Sequence, residues 1–155
     1  MQVIATRARP QPSDNVDEVH ASHDIAALWG RADFIAICTP LLPQTRNMVD
    51  AAAFAAMTPG AILADVSRGG VVDQAALRQA LDDGHLAAAV LDVFETEPLP
   101  AASPLWAEPN VLISPHCSSV FDGWEMASVR MFSENLARWQ AGQPLNNVVD
   151  PHRGY

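Results

Sequence analysis

The feature that most constrains the fold is the alternation of short apolar runs with alanine-rich or amphipathic stretches. The apolar runs are continuous, as in strands that are buried on both faces of a parallel sheet. The predicted strands are residues 3–6, 34–38, 62–66, 86–93 and 111–114. The predicted helices are residues 25–29, 51–57, 74–83 and 124–141. This order predicts right-handed crossovers and an α/β fold with a doubly wound parallel sheet.

Local signals at the ends of the predicted elements agree with this pattern. Asp73 is suited to accept hydrogen bonds from the free N–H groups at the start of the third helix. Gly84 and Gly142 follow the third and fourth helices, where glycine adopts the left-handed conformation that ends a helix. Residues 58–60 (TPG) predict a turn, and the polar segment 7–17 predicts a loop.

Composition limits the class of protein and its partners. The 155 residues suit one domain with a sizeable core, since 49% are hydrophobic and 17% are charged. The net charge of −9 argues against a nucleic-acid or anionic-membrane partner and leaves a small molecule. No apolar run reaches the roughly 20 residues of a membrane span, and no secretory signal is recognisable. Cys38 and Cys117 are isolated, so we expect a cytoplasmic protein with neither a disulfide framework nor a metal site.

Chemically reactive side chains follow three of the predicted strands. Arg68 comes after the third strand, Asp92 and Glu97 lie at and beyond the end of the fourth, and His116 follows the fifth. Because the carboxyl ends of parallel strands meet at one edge of a sheet, we expect these side chains to converge. Taken singly, Arg68 could be a solvated turn residue, His116 a histidine bonded to backbone, and Glu97 plain surface.

Together these residue types favour one chemistry. A guanidinium binds a carboxylate through two parallel hydrogen bonds. A histidine exchanges a proton with a carbonyl/alcohol couple near neutral pH, and a neighbouring glutamate stabilises the protonated ring. The set therefore predicts reduction of a 2-oxo acid, in which the carboxylate is anchored and the forming alkoxide is protonated.

Three motifs then resemble those of a known family. Residues 66–73 (VSRGGVVD), 91–99 (LDVFETEPL) and 114–116 (SPH) resemble, in order and spacing, the signatures of the D-isomer-specific 2-hydroxyacid dehydrogenases. Residues 39–46 (TPLLPQTR) resemble the family's loop after its fourth strand, and the resemblance extends over residues 3–147. It implies a Rossmann-like oxidoreductase that transfers a hydride between NAD(P)H and a 2-oxo or 2-hydroxy acid such as glyoxylate or hydroxypyruvate.

The resemblance also implies a role for each site residue. Arg68 would hold the substrate carboxylate and oxo group, His116 would be the acid/base, and Glu97 would be its carboxylate partner. The residues implied to contact the cofactor are Asp92, at the nicotinamide carboxamide, and Thr39, Pro40, Val66 and Ser67, which would line its site.

One departure from the family pattern concerns the phosphate-binding loop. No GxGxxG occurs in this sequence, so the usual anchor of the dinucleotide pyrophosphate is absent. We expect residues 1–142 to form a nucleotide-binding domain that lacks its first strand and glycine loop, with residues 143–155 as a linker toward a missing substrate domain. Such a fragment would be inactive alone; the alternative is a non-catalytic nucleotide-binding or dimerisation remnant.

Two further expectations follow from the same comparison. A missing strand and helix would expose apolar sheet surface, and family members commonly pair through this domain, so we expect a homodimer.

Arg7, with Arg9 nearby, stands where an acid would bind the ribose hydroxyls of NAD, and the next acid is Asp14. Arginine favours the extra phosphate of NADP(H), although Arg7 could also be a solvated loop residue.

Overall fold

The computed structural model describes residues 1–151. In chain order, this part of the protein forms the strands and helices β1 (Ile4–Arg7), β2 (Glu18–Ala21), β3 (Phe34–Ile37), α1 (Ala51–Ala56), β4 (Ala61–Asp65), α2 (Gln74–Asp82), β5 (Leu86–Leu91), β6 (Val111–Ile113) and α3 (Trp124–Gln140). Short 3-10 helices span Ser22–Ala27, Trp29–Arg31 and Pro104–Ala107.

The strands form two parallel sheets. The larger sheet has the order β3-β4-β5-β6, and β1 pairs with β2 in a separate two-stranded sheet. The predicted α/β fold with a parallel sheet is therefore confirmed, and each of the five predicted strands is present. Because pairing is parallel throughout, the strands of the larger sheet end at a common edge.

Two predicted local structures differ from the observed ones. Residues 18–21 form an edge strand that the sequence pattern did not predict, because polar side chains interrupt the apolar run there. Within this strand, the Glu18 carboxylate forms an ion pair with Arg31 at 2.7 Å. Residues 25–29, predicted as a helix, span the end of one short 3-10 helix and the start of another, with Leu28 between the two. Neither 3-10 helix has a side-chain cap, and so short a segment gains little from helical hydrogen bonds alone.

Capping side chains fix the two α-helices that pack on the sheet. Asp73 accepts from the N–H groups of Ala75 and Ala76 at 2.9 and 3.0 Å, as predicted. Asp50 caps α1 in the same way through the N–H of Ala53 at 2.9 Å. After α2, Gly84 has a φ of 70°, which only glycine adopts without strain.

The core lies on one face of the larger sheet. Ile35 and Ile37 of β3 and Leu63 of β4 are buried in one cluster with side chains of α1 and α2. The opposite face is open, because Phe34 is 70% and Leu112 is 64% exposed. The expectation that these strands are buried on both faces is therefore right for one face and wrong for the other.

Helix α3 extends from this core without burying any residue. The tail after the helix folds back on it, where Asn135 and Asn146 exchange hydrogen bonds of 2.8 and 3.1 Å. The predicted linker starts at residue 143, and its last four residues lie outside the described part of the chain. Within residues 1–151, no helix combines the length and apolar character needed to cross a membrane.

Candidate active site

A cavity of about 730 Å³ opens at the carboxyl edge of the larger sheet. Loops after β3, β4, β5 and β6 form its walls, as expected for a parallel sheet. Of the residues proposed from the sequence, those that line this cavity are Thr39, Pro40, Val66, Ser67, Arg68, Glu97 and His116. The structure therefore brings all three proposed catalytic residues together.

The central contact is a chain of hydrogen bonds from Glu97 through His116 to Arg68. Nδ1 of His116 lies 2.7 Å from Oε2 of Glu97, and Nε2 lies 3.3 Å from Nη1 of Arg68. Because a guanidinium has no acceptor, Nε2 must accept from Arg68. In the tautomer that makes both hydrogen bonds, Nδ1 carries the ring proton and donates it to Glu97.

Glu97 is held at both of its oxygens. While Oε2 accepts from His116, Oε1 accepts from the N–H of Phe94 at 2.9 Å. The bond from His116 is the largest influence on the pKa of Glu97, and with the Phe94 bond it outweighs burial and lowers that pKa. Glu97 is therefore a fixed, ionised acceptor near neutral pH.

The loop after β4 is pressed against the loop after β5. A side chain at Gly69 would put its Cβ 1.7 Å from the carbonyl oxygen of Phe94, so only glycine fits there. The neighbouring Arg68 bends back so that Nη1 donates to the carbonyl of Ser67 at 2.7 Å. This close backbone contact fixes the distance between Arg68 and the segment that carries Glu97.

Asp92 lies beneath this cavity and does not line it. It is 1% exposed, and its oxygens accept from the hydroxyl of Ser114 and from the N–H groups of Cys117 and Ser118, at 2.9 and 2.8 Å. These bonds hold the loop that carries His116, whose φ of 54° is unusual for a residue other than glycine. The proposed contact of Asp92 with the nicotinamide stays a prediction.

The environment of Asp92 favours its charged form. Burial is the largest influence and raises the pKa of this carboxyl. The hydrogen bonds from Ser114, Cys117 and Ser118 together outweigh burial and bring the pKa well below its usual range. Asp92 is therefore ionised and fully hydrogen-bonded inside the protein.

Asp65 is a functional candidate that the sequence reasoning missed. It ends β4, is buried, and accepts at Oδ1 from the hydroxyl and the N–H of Ser67, the latter at 3.0 Å. Burial raises its pKa, although the bonds from Ser67 oppose this rise. The available signal was an acid at the end of an apolar strand, the same signal that drew attention to Asp92.

Arg7 lies apart from the catalytic set, exposed at the end of β1. It lines a second cavity of about 690 Å³ between β1 and β3. Thr39 and Pro40 line both cavities, so the two adjoin at the loop after β3. The described structure thus leaves Arg7 beside a groove that leads toward Arg68.

Comparison with known proteins identifies the family. The sequence model of the D-isomer specific 2-hydroxyacid dehydrogenase, NAD binding domain, matches residues 1–118. The chain belongs to this family. The resemblance seen in the motifs is confirmed, as is the Rossmann-type fold.

Relatives agree in sequence and in structure. The glyoxylate/hydroxypyruvate reductase A of Serratia proteamaculans is 36% identical over 146 residues, which are 94% of this chain and 46% of that protein. A D-isomer-specific 2-hydroxyacid dehydrogenase from Xanthobacter autotrophicus in complex with NADPH and MES superposes with a TM-score of 0.91 at 40% identity, over 99% of this chain and 63% of that one. The NADPH-dependent glyoxylate/hydroxypyruvate reductase of Sinorhizobium meliloti with NADP and sulfate gives 0.92 at 34% identity, over 99% and 49%. The chain spans about half the length of the curated relatives it matches.

The two buried acids provide a paired test of this description. At neutral pH we expect Asp92→Asn to lower the free energy of unfolding by about 1.5–3 kcal/mol, the usual contribution of a hydrogen bond to a charged group. Asp92 has a depressed pKa in the folded state, so its contribution is present above the ordinary aspartate pKa of about 3.9 and is lost as pH falls. The deficit of Asp92→Asn should therefore shrink in acid.

Asp65→Asn is the matched control, and its effect on the free energy of unfolding should change with pH in the opposite direction. The raised pKa of Asp65 means that the wild-type protein loses stability from this group as pH rises, and the variant escapes that loss. Urea unfolding of both variants and the wild-type chain, near neutral pH and in acid, measures the two trends. If the stability difference from wild type changed with pH in the same direction for both variants, the assigned pKa shifts of Asp65 and Asp92 would be wrong.

Proposed function

We propose that this chain is the nucleotide-binding part of an oxidoreductase that transfers a hydride between NAD(P)H and a 2-oxo or 2-hydroxy acid. The observation that carries the proposal is the contact of Arg68, His116 and Glu97 in one cavity at the carboxyl edge of the sheet. The names of relatives such as the Serratia reductase suggest glyoxylate or hydroxypyruvate as substrate. We also infer a reducing cytoplasm, in keeping with the free, exposed thiols of Cys38 and Cys117.

The proposed first step is binding of the substrate carboxylate by Arg68. In the free site, Nη1 of Arg68 donates to Nε2 of His116 and to the carbonyl of Ser67. A carboxylate is a stronger acceptor than a neutral imidazole, so it draws the guanidinium away from the ring. Binding thereby frees Nε2 of His116 to take up a proton.

The proposed second step is proton transfer at Nε2 of His116. With Nδ1 bonded to the ionised Glu97, the doubly protonated ring is stabilised by an opposite charge 2.7 Å away. Nε2 then donates its proton to the oxygen that becomes an alkoxide, and in the reverse direction it accepts the proton of the alcohol. The nicotinamide, when bound, supplies or accepts the hydride.

The residues present fit the nicotinamide end of a dinucleotide. Val66, Ser67 and Gly69 of the loop after β4 line the cavity, and its lining at Thr39 and Pro40 continues into the groove beside Arg7. Asp65 anchors the loop after β4 through Ser67. The pyrophosphate anchor is not among these residues, so we propose that the chain does not turn over by itself.

The alternative function is a non-catalytic module that binds a nucleotide or dimerises. The chain retains Arg68, Glu97 and His116 with their mutual hydrogen bonds, and this favours the enzyme. A non-catalytic descendant of an enzyme would be expected to lose at least one of the three.

Seven large apolar side chains of α3 are exposed: Trp124, Met126, Val129, Met131, Phe132, Leu136 and Trp139. We propose that two copies of the chain associate through this helix. A monomeric mass in light scattering at micromolar protein concentration would contradict this association.

The catalytic roles are tested in a chimera in which this chain replaces the matched segment of the Serratia reductase. We expect His116→Gln to lower kcat by about 10²- to 10⁴-fold, because the ring no longer transfers the proton. Arg68→Ala should chiefly raise KM for glyoxylate and leave coenzyme binding unchanged. Arg78→Ala is the control, since Arg78 lies on α2 and pairs with Glu108 away from the cavity. Unchanged turnover in His116→Gln would refute the acid/base role.

The coenzyme preference is tested at Arg7. We propose that NADP(H) is favoured because the guanidinium binds the 2′-phosphate, and the relatives crystallised with NADPH or NADP support this choice. In the chimera, Arg7→Ala should weaken NADPH binding about tenfold, as expected for one charge-assisted hydrogen bond, and leave NADH nearly unchanged. Arg31→Ala is the control, because Arg31 is already paired with Glu18. Equal losses for both coenzymes would show that Arg7 does not read the phosphate.

A further inference from the structure

The loop after β3 lies between the two cavities of this protein. Thr39 and Pro40 line both the cavity at the carboxyl edge of the larger sheet and the cavity between β1 and β3. Leu41 lines the first of these cavities, and Leu42 lines the second. Residues 39–45 thus present one surface to each cavity, and we call them the partition loop.

The partition loop has few backbone donors with which to hold its own shape. Two of its residues, Pro40 and Pro43, have no N–H group. Backbone bonds close the end of the loop, where the N–H groups of Thr45 and Arg46 donate to the carbonyl of Leu42 at 3.1 and 3.0 Å. The first half of the loop lies outside this turn and is held by a side chain instead.

The hydroxyl of Thr45 supplies that connection. It donates to the carbonyl of Pro40 and accepts from the N–H of Leu42, both at 2.7 Å. The carbonyl of Leu42 is a more distant acceptor, at 3.3 Å. One half-buried hydroxyl therefore ties the end of the loop to its beginning. Because Pro40 lines both cavities, this bond fixes the surface that the loop presents to each of them.

The segment just after the partition loop is attached to the loop that carries Arg68. The N–H of Asn47 donates to the carbonyl of Gly70 at 2.8 Å. Nη1 of Arg46 also packs against Gly70, since a Cβ added there would lie 3.1 Å from it. A displacement of the partition loop is therefore passed directly to the loop of Arg68.

We propose that Thr45 is a positioning residue for both ligands of this site. Its hydroxyl sets the shape of the partition loop, and through that loop it sets the affinity for the coenzyme and for the 2-oxo acid. The hydroxyl acts through the loop and not by binding a ligand, because its proton and its accepting lone pair are used by Pro40 and Leu42. The inference rests on the proposed function, from which it takes the identity of the two ligands.

The proposal predicts a pattern that differs from those expected at Arg7 and Arg68. Loss of Arg7 should affect NADPH alone, and loss of Arg68 should affect the 2-oxo acid alone. Thr45→Val keeps the branched shape of the side chain and removes the hydroxyl. We expect this variant to weaken NADPH and NADH equally, by about 3- to 10-fold, as for the loss of one hydrogen bond. The KM for glyoxylate should rise by a similar factor with kcat nearly unchanged, because no reacting group is altered.

The coenzyme half of this pattern is measured on the 155-residue chain itself. Calorimetric titration gives the affinity for each coenzyme, and hydrogen exchange reports on the amide of Leu42, which should exchange faster in Thr45→Val. Thr45→Ser keeps the hydroxyl and should restore both the affinity and the slow exchange. Thr45→Ala is a second variant without the hydroxyl and should behave as Thr45→Val does. Thr58→Val is the matched control, since the same change is made in the turn before β4, at a residue that lines neither cavity.

The substrate half is measured in the chimera with the Serratia reductase. If the wild-type chimera binds both ligands and Thr45→Val leaves coenzyme affinity and KM unchanged, this inference is overturned and the proposed function stands. A fall in kcat without a rise in KM, or equal losses in Thr45→Ser and Thr45→Val, would also overturn it. If the wild-type chimera neither bound NADPH nor reduced glyoxylate, the proposed function would fail and this inference with it.

Discussion

The buried carboxylate of Asp92 connects the end of β5 to the loop after β6, and the geometry of the candidate site depends on that connection. Its hydrogen bonds to Ser114, Cys117 and Ser118 hold His116 at a backbone angle that an unsupported loop would not keep. Glu97 then reaches Nδ1 of the ring, and the ring accepts from Arg68. An ionised, fully bonded acid inside the core thus organises exposed residues at the surface.

The sequence was sufficient to predict the parallel sheet and the convergence at its edge, because continuous apolar strands have few alternatives. It located Arg68, Glu97 and His116 for the same reason. It could not predict that Asp65 and Asp92, which both follow apolar strand residues, are buried outside the cavity lining. Their hydrogen-bond partners lie in loops whose paths no local pattern encodes. The polar edge strand at residues 18–21 was hidden because its stability comes from pairing with β1.

Several surfaces of the described chain are open. Phe34 and Leu112 leave one face of the larger sheet open, α3 buries none of its residues, and β1 stands apart from β3. Each of these features exposes apolar surface or unpaired backbone. The edge that carries Arg68, Glu97 and His116 does not depend on these surfaces, because it is built from β4, β5 and β6 and from loops that contact one another directly.

We propose that this edge of the sheet is a coenzyme-dependent 2-oxo acid site. The most direct measurement is calorimetric titration of the chain with NADPH and with NADH, followed by glyoxylate and observation of coenzyme oxidation. We expect NADPH to bind, to bind more tightly than NADH, and neither coenzyme to be oxidised by the chain alone. If neither coenzyme bound, the proposal that these residues hold the nicotinamide would be contradicted. Rapid oxidation of the coenzyme would contradict the proposal that the chain does not turn over by itself.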